Sequence, residues 1–176
     1  MARGAQIPFV AWRDRAREPI PSCLFYGNAT LPDVIAARLI AAIAERLPEI
    51  VFHVAGPVVD ALGPRPANLS AHERPTAELF RTARVGLSPL TEVLGGNDRV
   101  VAFARAGLPV IASPAAARGF EPSLTDCWLV ATPELRTLRD AIIESIEWDW
   151  SEPVAEAHRL VIERYDRLPA PLHSVN

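Results

Sequence analysis

The stretch that most restricts the fold is residues 84–114, RVGLSPLTEVLGGNDRVVAFARAGLPVIASP. An apolar run, Val85 to Leu90, leads into a glycine-bearing loop ending Gly95-Gly96-Asn97-Asp98. A helical stretch Arg99–Ala106 follows, then Gly107-Leu108-Pro109 and a second apolar run, Val110 to Ser113. Asp98 is suited to cap the helix because its carboxylate can accept from free first-turn amides; Gly107 is suited to end it because it enters left-handed geometry without a Cβ clash. Val100, Phe103, Ala104 and Leu108 recur at helical spacing, so one helix face packs on the sheet that the flanking runs enter. Two strands joined this way are parallel and form a βαβ unit. In open sheets of this kind ligands sit beyond the strand C-termini, where a helix N-terminus offers unpaired N–H groups and about half a positive charge. The loop 91–98 is the candidate anion site.

The remaining chain repeats the alternation. Residues 1–21 carry prolines and alternating arginine and acidic residues without a regular period, and read as a leading arm anchored by Phe9 and Trp12. Cys23–Tyr26 reads as a buried strand closed by Gly27-Asn28. A helix from Pro32-Asp33 to Leu47 has the stripe Ile35, Leu39, Ala42, Ile43 and Leu47, and Ile50–Val54 is the next strand. Asn68–Ala71 is an edge strand, and Pro75 opens a short helix with Leu79, Phe80 and Ala83 behind it. Residues 115–125 read as loop and Cys127–Ala131 as a strand. Thr132 caps a helix striped by Leu135, Leu138, Ile142 and Ile146, and Ser151 caps a last one, with Trp148 and Trp150 at the junction. The expected fold is α/β: one Rossmann-like domain over 22–168, its parallel sheet covered by helices on both faces, with a tail from 169 to 176.

Composition narrows the function. The formal charge is −3, and the 18 basic residues are all arginine, spread along the chain apart from Arg13, Arg15 and Arg17. No basic stripe for nucleic acid is present. Cys23 and Cys127 each lie inside an apolar run, with no Cys or His at metal-ligand spacing, so buried thiols and no metal are expected. No 18-residue apolar run marks a transmembrane segment, and a cytoplasmic protein is expected. His53, within a strand, reads as a core histidine. Neither a Ser-His-Asp set nor a carboxylate pair can be assembled, so the catalytic group is unknown.

In order and spacing these motifs resemble the C-terminal, nucleotide-sugar-binding domain of GT-B fold glycosyltransferases, in particular group 1 retaining enzymes. The likeness runs from Pro21 to Tyr165. It rests on Phe25-Tyr-Gly27-Asn28, Val54-Ala-Gly56, the helix 77–83, the run 85–90, Gly95-Gly96, Arg99 and Ala106-Gly-Leu-Pro-Val-Ile111. The resemblance implies one half of a GT-B fold and a hexosyl transfer from a UDP- or GDP-linked donor. The acceptor would be bound by a separate polypeptide or an N-terminal-type domain; no other cofactor is implied.

The resemblance also assigns residues. Gly27, Asn28, Gly95, Gly96, Asn97 and Arg99 would hold the donor diphosphate, and His72 would face the base. Two family glutamates fall on Leu94 and Ala102, with Glu92 out of register; the second is the family's ribose ligand, so Ala102 is a degenerate ribose position. A family Asp falls on Arg84, and a family Gly on Ala71. A methyl group cannot accept hydroxyl hydrogen bonds, each worth about 1.5–3 kcal/mol when charge-assisted. The alternative implied by these departures is a degenerate, non-catalytic binding or interaction module.

Overall fold

A computed structural model of the chain describes residues 7–93 and 97–165. The described part of the leading arm, residues 7–21, is more ordered than its sequence suggests. It contains a helical turn, α1 (Trp12–Arg15), with Trp12 and Arg15 buried. Arg15 explains the order. Its guanidinium donates to the carbonyls of Val10, Phe80, Arg81, Ala83, Ala106 and Gly107, at 2.6 Å for Phe80 and 2.7 Å for Ala83. All but Val10 lie at the C-terminal ends of the helices 77–82 and 98–106, where carbonyls run out of helical partners, and a charged fork is the group that can satisfy several together. Arg84 fastens the rest of the arm, donating to the carbonyls of Ala16 and Glu18.

Strands and helices then alternate: β1 (Ser22–Tyr26), α2 (Leu31–Ala44), β2 (Val51–Ala55), a 3-10 turn (Pro57–Ala61), β3 (Leu69–His72), α3 (Ala77–Thr82) and β4 (Val85–Ser88). After these come α4 (Asp98–Ala106), β5 (Val110–Ala112), α5 (Pro114–Ala117), α6 (Pro122–Thr125), β6 (Leu129–Val130), α7 (Leu135–Glu147) and α8 (Ser151–Tyr165). All six strands are parallel, in the order β3-β2-β1-β4-β5-β6. The expected α/β sandwich is therefore observed. One apolar cluster joins Cys23, Phe25, Phe52 and Val54 to α2 and α7; the other joins Leu24, Ala55, Val110 and Ala112 to α3, α4 and α8. Alternate residues of each strand thus serve opposite layers.

Four local readings are corrected. Ile43 and Leu47 are buried as expected, but Ile35 is 42% exposed, Leu39 and Ala42 are half-buried, and α2 also buries Ala36, Ala37, Ile40 and Ala44. Three alanines in the seam let the helix lie close to the sheet, so bulk was a poor guide to its face. Residues 115–125 are two helical turns rather than loop, the first capped by Ser113, whose Oγ accepts from the Ala116 N–H at 3.1 Å. α7 begins at Leu135 after Glu134 rather than after Thr132. α4 begins at Asp98 itself, with Asn97 at the cap position.

Two glycines carry the backbone where other residues would fail. Gly107 ends α4 with φ 75° and lies against the Val10 carbonyl, leaving no room for a Cβ. Gly86 faces α4 so closely that a Cβ would come within 2.5 Å of the Phe103 ring. The helix of the central βαβ unit is thereby seated directly on β4.

Candidate anion site at the sheet switch point

The strand order reverses direction between β1 and β4, since the chain winds outward from β1 to β3 and then returns to start β4 on β1's other side. The connections leaving the two strands diverge there, and their ends open a crevice at the C-terminal edge. Residues following β1, β4 and the start of α4 converge on it. Gly27 continues β1, with its N–H donating to the Ala55 carbonyl at 3.0 Å. A Cβ on Gly27 would stand 2.7 Å from Asp33 Cγ, so glycine is what lets the α2 carboxylate enter.

Asp33 occupies the centre of this crevice. Its Oδ2 accepts from the Asn28 N–H at 2.9 Å and the Thr30 hydroxyl at 3.0 Å, while Oδ1 accepts from Arg99 Nη2 at 2.6 Å. The side chains of Arg99 and Asp33 are only 10% and 9% exposed. Arg99 also lies over the Phe25 ring at 4.6 Å and the Tyr26 ring at 5.5 Å, where ring quadrupoles favour a cation. A backbone N–H, a hydroxyl and a guanidinium are the donor set of an oxyanion site, and here a carboxylate of the chain itself engages them. Arg99 Nε and Nη1 are buried and have no hydrogen-bond partner among the described residues.

Asn97 binds across the crevice floor, its amide donating to the Ala116 carbonyl at 3.1 Å and lying 3.4 Å from Ser88 Oγ. The structure thus brings Gly27, Asn28, Asn97 and Arg99 to one edge; Gly95 and Gly96, expected to complete the site, lie outside the described residues. Ala102 is one turn further along α4 and lines a neighbouring cavity of about 520 Å³ with Tyr26, Arg74, Pro75, Thr76 and Phe80. The Tyr26 hydroxyl is driven up to about 12, chiefly by burial, with Arg99 opposing and Asp98 adding to the shift. It remains a neutral donor at pH 7. Glu92 is exposed on its loop.

His72 is not alone at its edge. Its Nε2 lies 3.1 Å from His53 Nδ1. His53 is half-buried beside it rather than a core histidine. Asp33, the central residue of the crevice, was not legible as a site residue, because in sequence it reads only as a first-turn acid favoured by the dipole of α2.

Solved structures share this architecture. Trehalose-6-phosphate synthase OtsA matches at 14% identity with a TM-score of 0.60, over 88% of this chain and 46% of that one. The glycosyltransferase WaaG of lipopolysaccharide biosynthesis matches at 16% identity and 0.61, over 85% and 45%. Sucrose-phosphate synthase from Thermosynechococcus elongatus matches at 19% identity and 0.60, over 89% and 44%. The fold is one Rossmann-like half of a GT-B glycosyltransferase fold. The chain spans less than half the length of each of these proteins. No family model matches the sequence, and no curated protein matches it. In this GT-B half the switch-point crevice, with Arg99 beside it, opens at the strand C-termini, where Leu31 and Val130 are exposed apolar residues. Among the described residues no helix is long and apolar enough to cross a membrane.

Proposed function

We propose that this chain is the nucleotide-sugar-binding, C-terminal-type half of a retaining glycosyltransferase, completed by an acceptor-binding half on another domain or polypeptide. The observation that carries the reading is Arg99: a guanidinium on the first turn of α4, at the switch point, with two buried N–H-bearing nitrogens unpartnered among the described residues. A UDP- or GDP-linked donor would set its diphosphate against Arg99, Asn28 and the loop through Gly95-Gly96. Its nucleoside would enter the cavity at Ala102, walled by Tyr26, Phe80 and Pro75. Arg99 and the α4 amides would then stabilise the departing diphosphate. His72 would flank the base from the end of β3.

A second reading is favoured by Asp33. Its carboxylate already engages the Asn28 N–H, the Thr30 hydroxyl and Arg99 Nη2, and Ala102 presents a methyl group to the cavity. Both features suit a degenerate module that keeps the GT-B half for interaction rather than transfer. Calorimetric titration with UDP, GDP and pyrophosphate separates the two. Saturable binding that Arg99→Ala weakens supports the donor site; no heat from any of the three at millimolar concentration supports the module.

A further inference from the structure

His53 and His72 stand on neighbouring strands at the open edge of the sheet, where β3 has no outer neighbour. In register His53 pairs with Ser70, and His72 with Ala55, so both imidazoles leave the same face. The ring centroids are 5.2 Å apart and the planes are inclined at 52°, so the rings are not stacked; they meet through nitrogens, His53 Nδ1 and His72 Nε2 at 3.1 Å. Burial disfavours the charged form of both rings, and a charge on His72 would disfavour it further at His53. The close approach of the two nitrogens requires one of them to be unprotonated and to accept from the other, as two neutral rings do.

We propose that His53 and His72 form a two-imidazole chelate for a divalent ion of borderline softness, such as Zn2+, Ni2+ or Cu2+. An ion about 2.0–2.1 Å from each nitrogen would see them roughly 100° apart, between the cis-octahedral and tetrahedral angles. Imidazole is the ligand these ions share, and carboxylate-preferring Mg2+ and Ca2+ are excluded by the donor set. Binding releases no proton from the pair. The one proton shared by the facing nitrogens moves to the outer nitrogen of the ring that carries it, leaving two lone pairs toward the ion. Neither ring has another hydrogen bond among the described residues to oppose that change of tautomer. No group of three or more His, Cys, Asp or Glu suited to a metal gathers among the described residues. Water therefore fills the remaining positions, and the ion exchanges readily. His72 is the last residue of β3, so the site lies on the ligand-bearing edge, next to the Arg74–Thr76 wall of the cavity.

The test is calorimetric titration of the chelator-stripped full chain with ZnCl2 at pH 7.5, beside His53→Gln and His72→Gln. Cu2+ electron paramagnetic resonance is recorded on the same proteins. One ion per chain is expected, with affinity at least ten-fold weaker in each variant and nitrogen hyperfine structure falling from two imidazoles to one. Unfolding midpoints in chelator confirm that both variants fold. Absence of saturable Zn2+ binding overturns the proposal, as does equal binding by wild type and both variants, which assigns the ion to other groups such as His158 or His173.

Discussion

Substituting Asp33 by Asn tests whether the crevice is a ligand site held shut or a structural ion pair. The pair is 2.6 Å long, with both side chains about nine-tenths buried, so solvent screens it little. Asn keeps the shape but removes the charge and leaves Arg99 a buried cation without a counter-ion. Breaking a buried pair from one side costs about 3–5 kcal/mol, equivalent to a fall of about 6–20 °C in unfolding midpoint for a domain of this size. The same change removes one of the two acceptor oxygens, so part of the donor set of Asn28, Thr30 and Arg99 is freed for an outside anion. Regaining a charge-assisted contact of about 1.5–3 kcal/mol tightens pyrophosphate binding roughly ten- to hundred-fold relative to wild type. The ligand should then restore part of the lost midpoint, because it binds only the folded chain. Calorimetry and thermal unfolding at low salt, with and without pyrophosphate, measure both effects. A variant that unfolds earlier yet binds pyrophosphate no better than wild type refutes the reasoning and leaves Arg99 as a structural counter-ion to Asp33.

Arg99→Ala should weaken UDP binding about ten-fold or more, while Ala102→Glu should tighten UDP but not pyrophosphate, which has no ribose; equal effects on the two ligands would move the nucleoside out of the Ala102 cavity. Arg15→Met should cost at least about 3 kcal/mol in urea unfolding, since it strands several buried carbonyls. Arg15→Lys should recover little, because one ammonium cannot reproduce the fork. Both histidines at the sheet edge have folded values below their ordinary 6.5. The unfolded chain therefore takes up more protons as pH falls through that value; the stability held by neutral rings is present above it and lost below. Urea midpoints in chelator from pH 7.5 to 5 should show this slope, and the double variant His53→Gln/His72→Gln should flatten it. Gly107→Ala should destabilise the chain, as φ 75° and the Val10 carbonyl both oppose a Cβ.

The parts of this molecule that could be read from the sequence are those whose causes are local. The apolar runs of β1, β2, β4 and β5, the left-handed turn at Gly107 and the short helix behind Pro75 each follow from a few adjacent residues. The face of α2 was misread because alanines seat a helix as effectively as isoleucines when the sheet is close. Arg15 was invisible for a different reason: its partners are carbonyls as far as 92 residues away, and nothing in an arginine's neighbours announces such a contact. Asp33 and Arg99 lie between these cases. Each is an ordinary first-turn residue of its own helix, 66 positions apart. What joins them is strand order. Once β1 and β4 are neighbours at the point of reversal, the helices that follow them start side by side at one crevice and then run down opposite faces of the sheet. The third residue of α2 and the second of α4 are then brought together by topology alone. An alternating pattern of helices and strands without that order can locate the crevice edge but not its occupant, and the occupant here decides whether a ligand's anion meets free donors or a carboxylate already in place.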